Sequence, residues 1–391
     1  MLAFADDIVL ISKEEFDLEQ MLAKTERWCA RYRLEVNTDK TKILHFRPKR
    51  KEKSNWVFKF NNTNLEIVSK YKYLGIVLNE NLEFSGTAEL LAGGAGRALI
   101  GLIGKFRKFK NVGFKTYQKM YYTSVIPIMD YASGIWGYGN SSHADKIQNR
   151  AIRYYLGVQG KAALLGLEGD IGWINSKIRQ SRNIIRLWNR LLLMQDCKIT
   201  KKVFLWDLEN GTFWSNQVKQ IFEYVNLPYF DERNTCDLRL VESKLKDSRN
   251  FEFNELLLTK PKLRTYRKLK SEISCESYMF IQNRKKRSFV AQLRLGILPL
   301  NIEVGRFRGV KLEERICEIC KNNSIEDEFH FVCVCSAYIC FRETLYNSID
   351  YENFINMDDF DKFLYLMRNE QSKIGTFLDK AWQKRNAILY N

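Results

Sequence analysis

Leu2-Ala3-Phe4-Ala5-Asp6-Asp7-Ile8-Val9-Leu10-Ile11 sets two short apolar runs on either side of a pair of carboxylates. Short apolar runs interrupted by a polar pair read as two strands and the turn between them. The stretch is therefore expected to be a tight hairpin with Asp6 and Asp7 at its bend. Adjacent side chains of a straight strand point to opposite faces, whereas a tight turn can present Asp6 and let Asp7 stand beside it. Paired carboxylates at such a turn suit the holding of divalent cations, and a solvated turn is the ordinary alternative for so short a motif.

Working outward, Ser12 and Glu15 have capping-box spacing, and Leu18, Met21, Leu22, Thr25, Trp28, Cys29 and Tyr32 recur at helical spacing. These predict a helix over 13–32. Lys42 to Phe46, Trp56 to Phe60 and Tyr71 to Leu78 have strand-like content, so residues up to about 84 form one small α/β unit. After Phe84 the period changes. Leu90, Leu91, Ala95, Ala98, Leu99, Leu102, Ile103 and Phe106 step by three and four, and Tyr117 to Met129, Asp145 to Leu156 and Ile178 to Met194 do likewise. The pattern is weaker over Lys260 to Leu298, and Leu298-Pro299 breaks it before a cysteine-rich segment.

The chain has 391 residues, 63 Lys and Arg against 46 Asp and Glu, and a net charge of +17. Its length predicts more than one core, and its charge creates a field attractive to polyanions, which makes nucleic acid the first partner to consider. Asp6 and Asp7 interrupt the first apolar stretch, so no signal peptide is expected. Leu90 to Gly104 contains Arg97 and five glycines, so no membrane span is expected and the chain is placed in the nucleus or cytoplasm. Thiols there stay reduced, and five of the nine cysteines fall between Cys317 and Cys340.

Cys317-x2-Cys320-x9-His330-x4-Cys335 offers four sulfur and nitrogen ligands in close pairs, the spacing of a structural Zn2+ site. Cys335 is taken as the fourth ligand with Cys333 as its rival, and Cys340 is read as a packing cysteine. The acidic Glu326-Asp327-Glu328 between the pairs is read as solvated or as support for the ligands.

Three basic clusters could track phosphates: Arg47, Lys49, Arg50, Lys51 and Lys53; Lys105, Arg107, Lys108, Lys110 and Lys115; and Arg284, Lys285, Lys286 and Arg287. The second is preferred because Phe106 and Phe109 interleave it, with inward packing the expected role of the rings. The third also has the composition of a nuclear-import signal.

Phe4-Ala5-Asp6-Asp7 followed by Ile-Val-Leu-Ile resembles the aspartate box of reverse transcriptases. Leu34-Glu35-Val36-Asn37-Thr38-Asp39-Lys40-Thr41-Lys42 resembles the next palm motif, and Tyr73-Leu74-Gly75-Ile76 the primer-grip hairpin of non-LTR retrotransposon enzymes. Ile126 to Tyr131 with Ile135-Trp136-Gly137, and Ile147 to Ala151, look like the helical region after that palm. The cysteine-histidine segment is similar to the family's C-terminal one. This resemblance implies Asp6 as principal Mg2+ ligand, Asp7 as auxiliary carboxylate, Lys40 as proton donor to pyrophosphate, and Tyr73, Leu74 and Gly75 against the primer. RNA template and DNA primer are the implied partners.

The expected fold is α+β: a partial polymerase palm (1–84), a helical thumb (85–195), a helical connector (196–310), a zinc-knuckle-like module (311–345) and a helical tail (346–391). In the family another metal-binding aspartate and the fingers lie upstream of the box, and here only Met1 to Ala3 precede Phe4. The chain is thus expected to be a fragment or a decayed copy, inactive alone. The alternative is a non-enzymatic zinc-containing nucleic-acid-binding protein derived from a retroelement.

Overall fold

The structure, a computed structural model, describes residues 1–109, 111–227 and 235–390. It is an α+β chain that divides into two compact units, Met1–Leu90 and Leu91–Asn391.

In the first unit, strands β1 (Leu2–Phe4) and β2 (Asp7–Val9) pair antiparallel with Leu2 opposite Val9 and Phe4 opposite Asp7. Helix α1 (Glu15–Tyr32) follows and closes at Arg33, whose left-handed φ of 54° satisfies its last carbonyls through bonds to Ala30 and Cys29. The capping box read at Ser12 and Glu15 does not form. Ser12 lies before the N-cap residue Glu14, so its hydroxyl bonds the Glu14 backbone rather than the first turn of the helix. Leu22 of α1 packs with Ile43, Phe58, Phe60 and Leu65 in a small core. Strand β3 (Lys42–Leu44) runs parallel to β6 (Glu66–Val68), and β4 (Lys59–Phe60) turns into β5 (Thr63–Asn64). Finally β7 (Lys70–Tyr73) pairs with β8 (Ile76–Asn79) across Leu74 and Gly75, both at positive φ. That pair of left-handed residues is what a two-residue hairpin matched to strand twist requires.

Beyond it the chain is helical: α2 (Ser85–Lys108), α3 (Phe114–Ser124), α4 (Ile126–Met129), α5 (Ser133–Trp136), α6 (Ser142–Leu156), α7 (Leu164–Ile171) and α8 (Ser176–Leu192). The single helical run read over Tyr117 to Met129 is divided at Val125, just ahead of Pro127. Three helices with weak sequence periodicity follow, α9 (Ile199–Asn210), α10 (Phe213–Tyr224) and α11 (Leu238–Leu258). They form a satellite core with α8 around Trp188, Phe204, Val218 and Leu245. Short α12 (Tyr266–Leu269), α13 (Arg284–Arg294), α14 (Asn301–Phe307), α15 (Ile339–Tyr346), α16 (Asp359–Asn369) and α17 (Gln371–Tyr390) complete the unit.

The segments that sequence divides into thumb, connector, zinc module and tail share one main core from Ala95 to Ala381. Helix α17 packs on α13, α15 and α16. At its centre Asp170 accepts bonds from Arg294, Tyr266 and Tyr278, so a carboxylate with no exposure is fully hydrogen-bonded. No helix among the described residues is long and apolar enough to cross a membrane.

Candidate metal centre and nucleic-acid interface

Cys317 and Cys320 lie on a knuckle closed by the antiparallel bridge of Ile316 to Ile325, with Lys321 and Asn323 at positive φ in its turn. His330 opens a π-helical turn over His330–Val334, and the Cys335 amide donates to the His330 carbonyl at 2.8 Å. A bond spanning five residues sets His330 and Cys335 side by side. The ligand atoms of Cys317, Cys320, His330 and Cys335 all lie within 4.8 Å of one another. Cys317 Sγ is 4.0 Å from Cys335 Sγ, and Cys320 Sγ is 3.4 Å from His330 Nε2. Tetrahedral Zn2+ with bonds of ~2.0–2.3 Å spaces its ligand atoms ~3.3–3.8 Å apart, so the donor set fits that ion. The hydrogen bond to Cys335, then burial, pushes the Cys317 thiol up to about 12, and the same bond lowers Cys335.

Cys333 stands apart from this group. It is buried, which pushes its thiol up to about 11. Cys340, read as a packing residue, is exposed on α15. Nor are Glu326 and Glu328 solvated. Glu326 has no exposure, accepts from Cys317 Sγ at 3.7 Å and pairs with Arg385 of α17. Glu328 pairs with Arg264 at 2.7 Å, and Asp327 accepts from the His330 amide at 2.8 Å. Arg342 of α15 donates to the carbonyls of Val332, Cys333 and Cys335 and so holds the π turn in place. Sequence reasoning missed Arg342 and Arg385, for which no local pattern exists.

Asp6 and Asp7 are exposed at the first hairpin, where Ala5 takes a left-handed φ of 52°. Among the described residues no third carboxylate, histidine or cysteine joins them. The two aspartates supply only part of the donor set that two divalent cations require. Lys40 is exposed in a turn whose amide is held by Asn37 Oδ1 at 3.0 Å, and Tyr71 bonds its carbonyl. Its neighbour Lys42 is tied to Glu66 at 2.9 Å. Tyr73, Leu74 and Gly75 form the bend of the β7–β8 hairpin.

The three basic clusters differ in kind. In the first, Arg47 and Lys53 pair with Glu80 and Lys49 pairs with Glu83, so much of its charge is neutralised locally. In the second, Lys105, Arg107, Lys108 and Lys115 make no ion pair among the described residues, and Lys110 lies outside them. Phe106 packs inward as expected, but Phe109 is 64% exposed. In the third, Lys285 pairs with Asp379 at 2.8 Å, while Arg284 and Arg287 face aromatic rings.

Residues 1–78 match the family described as reverse transcriptase (RNA-dependent DNA polymerase). Over 78 residues the chain is 38% identical to a putative uncharacterized transposon-derived protein of Caenorhabditis elegans, a match covering 20% of this chain and 28% of that one. It is 27% identical over 159 residues to a probable RNA-directed DNA polymerase from transposon BS of Drosophila melanogaster, covering 38% of this chain and 18% of the fly protein. The matches thus span less than a third of each relative. No solved structure matches significantly. The aspartate hairpin, the Lys40 turn and the β7–β8 bend all fall inside the segment with reverse transcriptase sequence character.

Proposed function

We propose that this chain carries the aspartate-box half of a non-LTR retrotransposon reverse transcriptase palm, followed by a helical thumb, a connector and a zinc module. The observation that carries the reading is the tight hairpin that puts Asp6 in its bend and Asp7 at the first position of the returning strand, both exposed, within the segment that matches the reverse transcriptase family. Asp6 and Asp7 are the residues for Mg2+, which when bound supplies activation of the primer hydroxyl and neutralisation of phosphoryl charge. Lys40 is the candidate donor to the leaving group, and the Tyr73-Leu74-Gly75 bend seats the primer end. Polymerisation in this reading needs a further carboxylate and a template grip from outside the described residues. Cys317, Cys320, His330 and Cys335 hold structural Zn2+.

A second reading is supported by the absence of a third ligand beside Asp6 and Asp7 among the described residues: a zinc-containing nucleic-acid-binding protein of retroelement origin without catalysis. Primer extension separates the two. The chain is joined to the upstream fingers and palm of an active relative, with Asp6 intact or as Asp6→Asn. The enzyme reading expects extension that Asp6→Asn abolishes, because a neutral amide is a poor Mg2+ ligand. An active chimera indifferent to that change removes the metal role. A chimera inactive despite a folded palm favours the binding protein.

A further inference from the structure

The second and third basic clusters, far apart in sequence, meet in the fold. A pocket of about 150 Å³ lies where the end of α2, α6 and the start of α13 converge, lined by Phe106, Arg107, Phe109, Tyr154, Arg284 and Arg287 among others. We propose that this pocket takes one unpaired nucleotide of a single-stranded nucleic acid, its phosphate against Arg284 and Arg287 and its base stacked on Phe109. The inference rests on the nucleic-acid role proposed above and assigns it a place.

Arg287 is only 4% exposed and forms no ion pair among the described residues. It donates to the carbonyls of Tyr155 at 3.1 Å and Ile281 at 2.6 Å, and its guanidinium lies 4.0 Å from the Tyr155 ring centre. Carbonyls and a ring orient the group but supply no opposite full charge, and Arg284, beside it in the same helix turn, carries the same sign. An anion in the pocket supplies the missing partner. Among the described residues Arg284 likewise bonds only the Tyr154 carbonyl, and it lies over the Tyr154 ring at 4.8 Å.

The first turn of α13 carries four cations and no acid, against the preference of a helix N-terminus for negative charge. Lys285 is paired with Asp379 and Lys286 donates to Thr376 at 3.0 Å, which leaves the two arginines for an external anion. Arg107 adds charge at the rim. Phe109, the neighbouring aromatic, keeps its ring in solvent, where a nucleobase face can cover it whatever the base.

The test measures binding of the full chain to fluorescent ten-nucleotide oligo(rU) and oligo(dT), to an abasic strand of the same length and to a blunt duplex. The variants are Phe109→Ala and Arg284→Ala; both side chains are exposed, and circular dichroism checks the fold. The proposal expects the abasic strand to bind about tenfold more weakly than the base-bearing strands, as stacking of one base implies. Phe109→Ala should erase that difference with rU, dT or both, which also names the strand, and should leave duplex binding unchanged. Arg284→Ala should weaken all single strands. Retention of the base-dependent difference in Phe109→Ala, or an equal loss on duplex, overturns the pocket while the wider nucleic-acid role stands. Failure of the wild-type chain to bind any of these probes overturns both.

Discussion

Asp170 of α7 and Arg294 of α13 form a two-pronged ion pair, Nε to Oδ2 and Nη2 to Oδ1 each at 2.9 Å, with no exposure of either side chain. The hydroxyls of Tyr266 and Tyr278 complete the carboxylate, and Glu276 lies 3.2 Å from Arg294. Replacing Asp170 with Ala is expected to cost about 3–5 kcal/mol, since it takes the two-pronged carboxylate from a buried guanidinium, leaving it Glu276 and the Met367 carbonyl, and removes the acceptor of the buried Tyr278 hydroxyl. Chemical denaturation checks this, and a loss below about 1 kcal/mol contradicts the network's role.

Purified protein prepared without chelator should hold about one Zn2+ per chain, because four thiolate and imidazole donors satisfy a structural site. Elemental analysis of Cys317→Ser with Cys320→Ser should show that metal gone and the melting temperature lowered, whereas Cys333→Ser should keep its metal. Loss on Cys333→Ser and retention on Cys335→Ser would reverse the assignment.

Arg385→Met is expected to cost about 3–5 kcal/mol by leaving Glu326 buried and unpaired beside Cys317. Adding Glu326→Gln should recover part of that cost, as removing both charges of a buried pair is milder than removing one. A double-mutant cycle measures the coupling, and strict additivity would show that the two do not act as a pair.

Reversing Lys105, Arg107 and Lys108 to Glu should flatten the dependence of nucleic-acid affinity on salt. Each lost phosphate contact removes about 0.7–0.9 from the slope of log affinity against log salt. The same reversal at Arg47, Lys49 and Lys53 should change the slope less, because Glu80 and Glu83 already engage those cations. Equal slopes for the two triple variants would contradict that distinction.

What could be read from sequence was local. The aspartate hairpin announces itself because strand periodicity and a polar break sit within ten residues, and the knuckle cysteines are three apart. The α9 to α11 helices fall inside the segment read as a helical connector, but their bounds are not legible because α11 buries only Val241, Leu245, Phe253 and Leu257 over 21 residues. The sequence favours Cys335 over Cys333, but the π turn that sets Cys335 beside His330 shifts the period by one residue and has no compositional mark. Arg342 and Arg385 act on the module from later helices, and the joining of Arg107 to Arg284 depends on packing between helices 177 positions apart in number.

Because Phe377, Leu378 and Ala381 of α17 belong to the main core and Arg385 closes on Glu326, the cysteine knuckle is translated before the helix that buries it. At about 5–20 residues per second, roughly 2–9 s separate the synthesis of Cys335 from that of Ala381. Until α17 has been released and packs, Glu326 lacks Arg385 and the knuckle lacks that cover, so the order of synthesis lets metal reach the thiols before the helix closes the module.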